Sequence, residues 1–135
     1  MRPELREEVQ GWLTRADRDL LAAENLLQDA VIVGEAVTYH SQQAAEKALK
    51  GFLTARGIVF KLTHDVTRLV VQCQAVDAEF GGFADTAEVL TPYAVRFRYP
   101  GGPIGPSLSE AQRALQLATE IVQFVHRQLP VEPPL

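Results

Sequence analysis

Residues 108–129 read LSEAQRALQLATEIVQFVHRQL, and their apolar positions decide the fold class. Leu108, Ala111, Leu115, Ala118, Val122, Val125 and Leu129 recur at alternating steps of three and four, the period of one face of an α-helix. A second apolar line, Ala114, Leu117, Ile121 and Phe124, widens that face. A helix this broadly apolar is either the centre of a bundle or half of a dimer interface, and spacing alone leaves both open. Ser107 or Ser109 is placed to cap it, and Ser107 with Glu110 three residues on fits the capping-box pattern. The tail LPVEPPL, from about residue 130, is predicted to be frayed or extended.

Upstream, Tyr99-Pro100-Gly101-Gly102-Pro103-Ile104-Gly105-Pro106 is too rich in proline and glycine for a regular helix and marks a chain reversal. Asp85 starts a fourth helix through Glu88 and Leu90, which must kink or restart at Pro92. A third helix starts near Asp65 as N-cap, carries Val66, Leu69, Val70, Cys73, Val76 and Phe80 on one face, and stops at Gly81 and Gly82. The second runs from about Glu35 to Ala55, where Val37, Ser41, Ala44, Ala45, Ala48, Leu49 and Phe52 form a small-residue face, and Gly57 closes it. Ile58 to Thr63 is β-branched but has no partner strand and is read as loop. The first runs from about Pro3 to Gln28, with Leu5, Val9, Trp12, Leu13, Ala16, Leu20, Ala23 and Leu27 on one face, and Pro3, Glu4, Glu7 and Glu8 suit its N-terminal turns. The expected fold is an all-α, antiparallel up-and-down bundle of four main helices plus one short helix, with residues 1–135 as a single domain.

Composition agrees with a compact chain: 47% of residues are hydrophobic and 22% charged, far from the balance of disordered sequences. The single cysteine, Cys73, can form neither an internal disulfide nor a multi-cysteine metal site, and its apolar neighbours predict a buried thiol. MRPELREEVQ is charged and lacks the apolar core of a secretory signal, and no uncharged apolar run reaches the roughly 20 residues of a membrane span. A cytoplasmic location without membrane contact is therefore expected. The net charge of −4 argues against a dedicated sequence-independent nucleic-acid binder, since that affinity comes from phosphate neutralisation, but leaves room for a local basic pocket.

Several familiar motifs are absent. The glycines of YPGGPIGP follow no strand and precede no Gly-Lys-Ser/Thr, so they form neither a dinucleotide nor a P-loop signature. His40, His64 and His126 fall in separate segments without metal-ligand spacing, and no serine occupies a nucleophile elbow. No cofactor is expected.

Three polar groups remain. His40, Gln43, Lys47 and Lys50 share one face of the second helix, opposite the alanines. They read as a solvated stripe, with Glu46 and Lys50 an exposed pair of little energy, or as a cationic lining for phosphate oxygens. Tyr93, Arg96, Arg98 and Tyr99 precede the proline-glycine loop. Guanidinium forks match phosphate and a tyrosine ring can stack on a base, while the plain structural alternative is a plug that satisfies helix-end carbonyls. His64, beside Asp65, either fixes the loop at a helix start or moves protons and contacts a ligand.

Three blocks in order, Tyr39-His40-Ser41-Gln42-Gln43-Ala44-Ala45-Glu46-Lys47-Ala48-Leu49-Lys50, Thr63-His64-Asp65 and Tyr93-Ala94-Val95-Arg96-Phe97-Arg98-Tyr99-Pro100, resemble the HEPN family, named for higher eukaryotes and prokaryotes nucleotide-binding. An opening helix with Trp12, Ala16, Asp19, Leu20 and Ala23 fits it too. The resemblance implies a helical bundle, often a homodimer, encoded in bacteria beside a minimal nucleotidyltransferase and in some pairs acting as toxin and antitoxin. It implies nucleotide binding, for which the candidate residues are Arg98, Tyr99, Arg96, Tyr93, Lys47, Gln43 and His64. Many members are proposed to be metal-independent ribonucleases with an Arg, four to six residues, then a His. This chain departs from that pattern, because Arg98 meets no histidine before His126 and seven residues separate Arg56 from His64. A nucleotide-binding module is the leading expectation, with an RNA-cleaving enzyme and a non-catalytic interaction bundle as its rivals.

Overall fold

The amphipathic pattern of the first helix places it against the small-residue face of the second, and this pairing organises the computed structural model, which describes residues 1–97, 100 and 104–129. The helices are α1 (Pro3–Leu27), α2 (Gly34–Ala55), α3 (Val66–Gln74), α4 (Ala84–Leu90) and α5 (Leu108–Gln128), with 3-10 turns at Ala78–Phe83 and Thr91–Ala94. Among the described residues there is no strand, and no helix is long and apolar enough to cross a membrane.

α2 is central, packing on α1, α3 and α5. Gly51 of α2 meets Trp12 and Leu13 of α1, whereas Lys47 and His40 meet Asp19, so the two helices run antiparallel. α5 lies antiparallel to α1, since Ala111 packs in one cluster with Ala23 while His126 bonds Asp17. Most of both apolar lines of α5 is used within the chain: Ala111, Ala114, Leu117, Ala118, Ile121, Val122, Phe124 and Val125 are buried, while Leu115 is half-buried and Leu108, at the first turn, is exposed. Its breadth therefore reflects a core position. Phe52, Phe80 and Phe124 join α2, the first 3-10 turn and α5 through ring contacts at 4.5 and 4.9 Å, each of which adds about 1 kcal/mol beyond simple burial.

The segment between α2 and α3 forms no regular element, in keeping with its reading as loop. Gly57 takes φ +69 after α2 ends, and the chain returns alongside α2 until His64 lies against Glu46. α3 then descends beside α2, with Cys73 near the Leu49 carbonyl. One expectation needs correction. The third helix does not reach Phe80 but ends at Gln74, because Asp77 caps a separate 3-10 turn by accepting the Glu79 amide. Gly81 and Gly82 lie inside that turn, which runs directly into α4, and Val76 is exposed rather than packed.

Candidate functional site

The polar side of α2 is not a solvated stripe. Ser41, Gln42, Gln43, Glu46 and Lys50 are all buried, because α1, the returning segment and the start of α3 close over that side. A buried polar atom must find a partner, and among the described residues no buried side-chain nitrogen or oxygen lacks one.

Glu46 is the hub. Its Oε2 accepts from Lys50 Nζ at 3.0 Å, while Oε1 accepts from Gln42 Nε2 at 3.1 Å and from His64 Nδ1 at 2.8 Å. Gln42 Nε2 also donates to the His64 carbonyl at 2.9 Å, and Gln43 Nε2 donates to Gln42 Oε1 at 2.7 Å. The Glu46–Lys50 pair expected on the surface is thus a buried one. The Lys50 ammonium further lies 5.6 Å from the Trp12 ring centroid and 5.8 Å from that of Phe60, an arrangement that favours a cation where water is excluded.

His64 behaves differently from the rest. Its backbone is tied to Gln42 and its Nδ1 to Glu46, yet its side chain is 68% exposed. An ionised carboxylate only accepts, so Nδ1 carries the hydrogen and a neutral His64 presents the Nε2 lone pair outward. A second carboxylate–imidazole pair stands between α1 and α2: Asp19 Oδ1 holds His40 Nδ1 at 2.8 Å, and Asp19 Oδ2 takes Lys47 Nζ at 2.6 Å.

At the far end of the chain, Tyr93 donates its hydroxyl to Glu110 Oε2 at 2.5 Å, and Arg96 approaches the same oxygen at 3.7 Å. The Arg96 guanidinium lies 4.9 Å from the Phe97 ring centroid, and Phe97 stacks on Tyr93 where the backbone reverses at φ +71. Burial, then the Glu110 hydrogen bond and charge, against partial opposition from Arg96, push the Tyr93 phenol up to about 12. Ser107 caps α5 by accepting the Glu110 amide, while the Glu110 carboxylate is engaged by Tyr93 and Arg96.

The candidate residues therefore fall into two sets. Gln43 and His64 share the Glu46 network, with Lys47 on the neighbouring Asp19 pair; Tyr93 and Arg96 converge on Glu110. Arg98 and Tyr99 lie outside the described residues. Arg56 stands ten residues beyond Glu46, about 15 Å along the helix axis, and its guanidinium folds over the Phe52 ring. Sequence reasoning missed Asp19 and Glu46 as organisers. The signal was present at Asp19, a carboxylate on the apolar line between Ala16 and Ala23.

Among the described residues no cluster of histidine, cysteine, aspartate or glutamate could hold a metal ion. What the arrangement offers is an exposed imidazole fixed by a buried carboxylate, which can donate to a phosphate oxygen when protonated or accept a proton when neutral.

The HEPN domain family model matches residues 9–128, a span that includes both sets. The solved structure of TT1696 from Thermus thermophilus is 31% identical and superposes with a TM-score of 0.76, covering 90% of this chain and 98% of that one. Among curated proteins, none matches. Agreement in both sequence and fold across nearly the whole length leaves one assignment: the chain belongs to the HEPN domain family.

Proposed function

We propose that this HEPN chain is a nucleotide-binding module that works with a minimal nucleotidyltransferase partner, in a pair of the toxin–antitoxin kind. The observation that carries the nucleotide reading is His64, whose imidazole is anchored at Nδ1 by buried Glu46 and otherwise open to water. Family membership supports it. In this reading Arg98 and Tyr99 contact phosphate and base with His64 nearby, and Tyr93 and Arg96, joined through Glu110, flank them. Lys47 and Gln43 act mainly by shaping the site, because their polar atoms are already engaged by Asp19 and Gln42. Titration calorimetry with ATP and GTP tests this: saturable heat is expected for the wild type and at least a fivefold weaker affinity for Arg98→Ala and His64→Ala. No heat with either nucleotide, or equal affinity in both variants, overturns it.

The Glu46–His64 pair also favours a second reading, a metal-independent endoribonuclease in which His64 moves the proton and an arginine stabilises phosphate charge. RNA cleavage that persists in chelator and disappears in His64→Ala would establish it. Co-expression with a minimal nucleotidyltransferase, followed by size-exclusion chromatography with light scattering, tests partner binding and homodimer formation together.

A further inference from the structure

The returning segment between α2 and α3 leaves a space that the nucleotide reading does not use. Its ends are pinned: the Ile58 amide bonds the Leu53 carbonyl at 2.9 Å, the Val59 carbonyl accepts Gln72 Nε2 at 3.2 Å, and Asp65 caps α3 through the Arg68 amide at 3.2 Å. Between these anchors the chain and α3 enclose an open hollow of about 600 Å³, within the size range of small-molecule sites.

The walls have a consistent chemistry. Val59, Phe60 and Val71 give one apolar surface, on which Val59 is 91% and Val71 60% exposed. Phe60 is held in place by an edge contact with Trp12 at 6.1 Å, so the ring is a fixed platform. Lys61 and Arg68 supply two cations, and no acidic residue lines the space. Lys61 has no ion-pair partner among the described residues, and Arg68 has only Asp65, reached through Nε at 3.6 Å by a highly exposed side chain. Thr63 adds a hydroxyl. Apolar area left in water beside one unpaired ammonium and one guanidinium held only loosely by Asp65 matches a ligand with an apolar body and an anionic head.

We infer that this hollow binds a small amphipathic anion: an aromatic or branched apolar body lying on Phe60 and Val71, with a carboxylate, sulfonate or phosphate held by Lys61 and Arg68. The anion's charge is what distinguishes it from a purely apolar guest, since exposed cations add little unless they meet a complementary group at close range. His64 is not among the lining residues, so the site is independent of the nucleotide reading.

The probe is 8-anilinonaphthalene-1-sulfonate, an aromatic sulfonate whose fluorescence rises in apolar surroundings. The wild type is expected to bind it saturably with one site. Lys61→Gln with Arg68→Gln should weaken binding at least fivefold, and Val71→Glu should abolish it, with unchanged far-ultraviolet circular dichroism because all three side chains are exposed. Val31→Glu, at an exposed valine elsewhere, should leave affinity unchanged, and ATP should not displace the dye, so failure here and failure of nucleotide binding are read separately. Displacement by indole-3-acetate points to a carboxylate ligand and displacement by phenyl phosphate to a phosphate ester; either supports the site. Non-saturable fluorescence, or equal affinity in the Lys61/Arg68 and Val71 variants, overturns it.

Discussion

Glu46 and Lys50 stand one turn apart on α2 with Oε2 and Nζ 3.0 Å apart, and their side chains are only 5% and 6% exposed. In the same place Gln42, Gln43 and His64 use the rest of the carboxylate's capacity or support the residues that do. The polar side of the central helix is thus an internal network, and its energetics follow those of buried charge rather than those of a surface pair.

Removing one member should therefore cost far more than removing both charges. Glu46→Ala leaves the Lys50 ammonium buried without its carboxylate, and a loss of roughly 3–5 kcal/mol is expected in urea denaturation. The double variant Glu46→Gln with Lys50→Met keeps the volume and removes both ions, and should lose little or no stability. Equal losses in the two proteins would mean that the charges contribute nothing beyond packing.

Tyr93 gives the chain a pH dependence at the alkaline end. Its phenol is pushed from 10.0 to about 12 in the fold. An acid that keeps its proton longer when folded makes the native state bind more protons than the unfolded chain between those values, so stability falls as pH rises from about 10. Absorbance at 295 nm should show one of the three tyrosines titrating late, and Tyr93→Phe should remove that late step and flatten the alkaline loss of stability. A late step that survives in Tyr93→Phe belongs to another residue.

Cys73 makes a reporter of opening. Burial first, and the nearby Asp77 charge second, raise its thiol to about 12, and its side chain is inaccessible in the fold. At pH 8 an aromatic disulfide reagent should react with the native protein orders of magnitude more slowly than with the urea-unfolded chain. The rate should rise in Glu46→Ala, which destabilises the α2–α3 contact that covers the thiol. Rapid labelling of the native wild type would place Cys73 at the surface.

Helix positions were legible in the sequence wherever one side of a helix faces an apolar core. The steps of three and four in α5 predict both its span and its buried lines, and Asp65 and Ser107 cap where their side-chain chemistry suggests. The split after Gln74 was not legible, because Val76 and Phe80 continue the apolar period while the Asp77 cap acts through local geometry that periodicity cannot register. The site was harder still. Residues such as Gln43 and Lys50 look like any solvent-facing pattern until the returning segment, which has no periodic signal of its own, brings His64 back over Glu46. Burial of a polar face depends on what covers it, and that information lies elsewhere in the chain.

Asp19 tests whether the cations of α2 serve structure alone. It holds Lys47 at 2.6 Å and His40 at 2.8 Å while only 10% of its side chain is exposed, so Asp19→Asn preserves shape and removes the charge that occupies both. Stability should fall by roughly 2 kcal/mol, the usual worth of hydrogen bonds to a charged group. Lys47, 24% exposed, is then released from its counter-charge and becomes able to meet an external anion. Retention on phosphocellulose should rise in Asp19→Asn and return to the wild-type value when Lys47→Met is added, whereas the stability loss should persist. Unchanged retention in the single variant would mean that Lys47 cannot be reached by phosphate even when freed, and that its role is confined to joining α1 to α2.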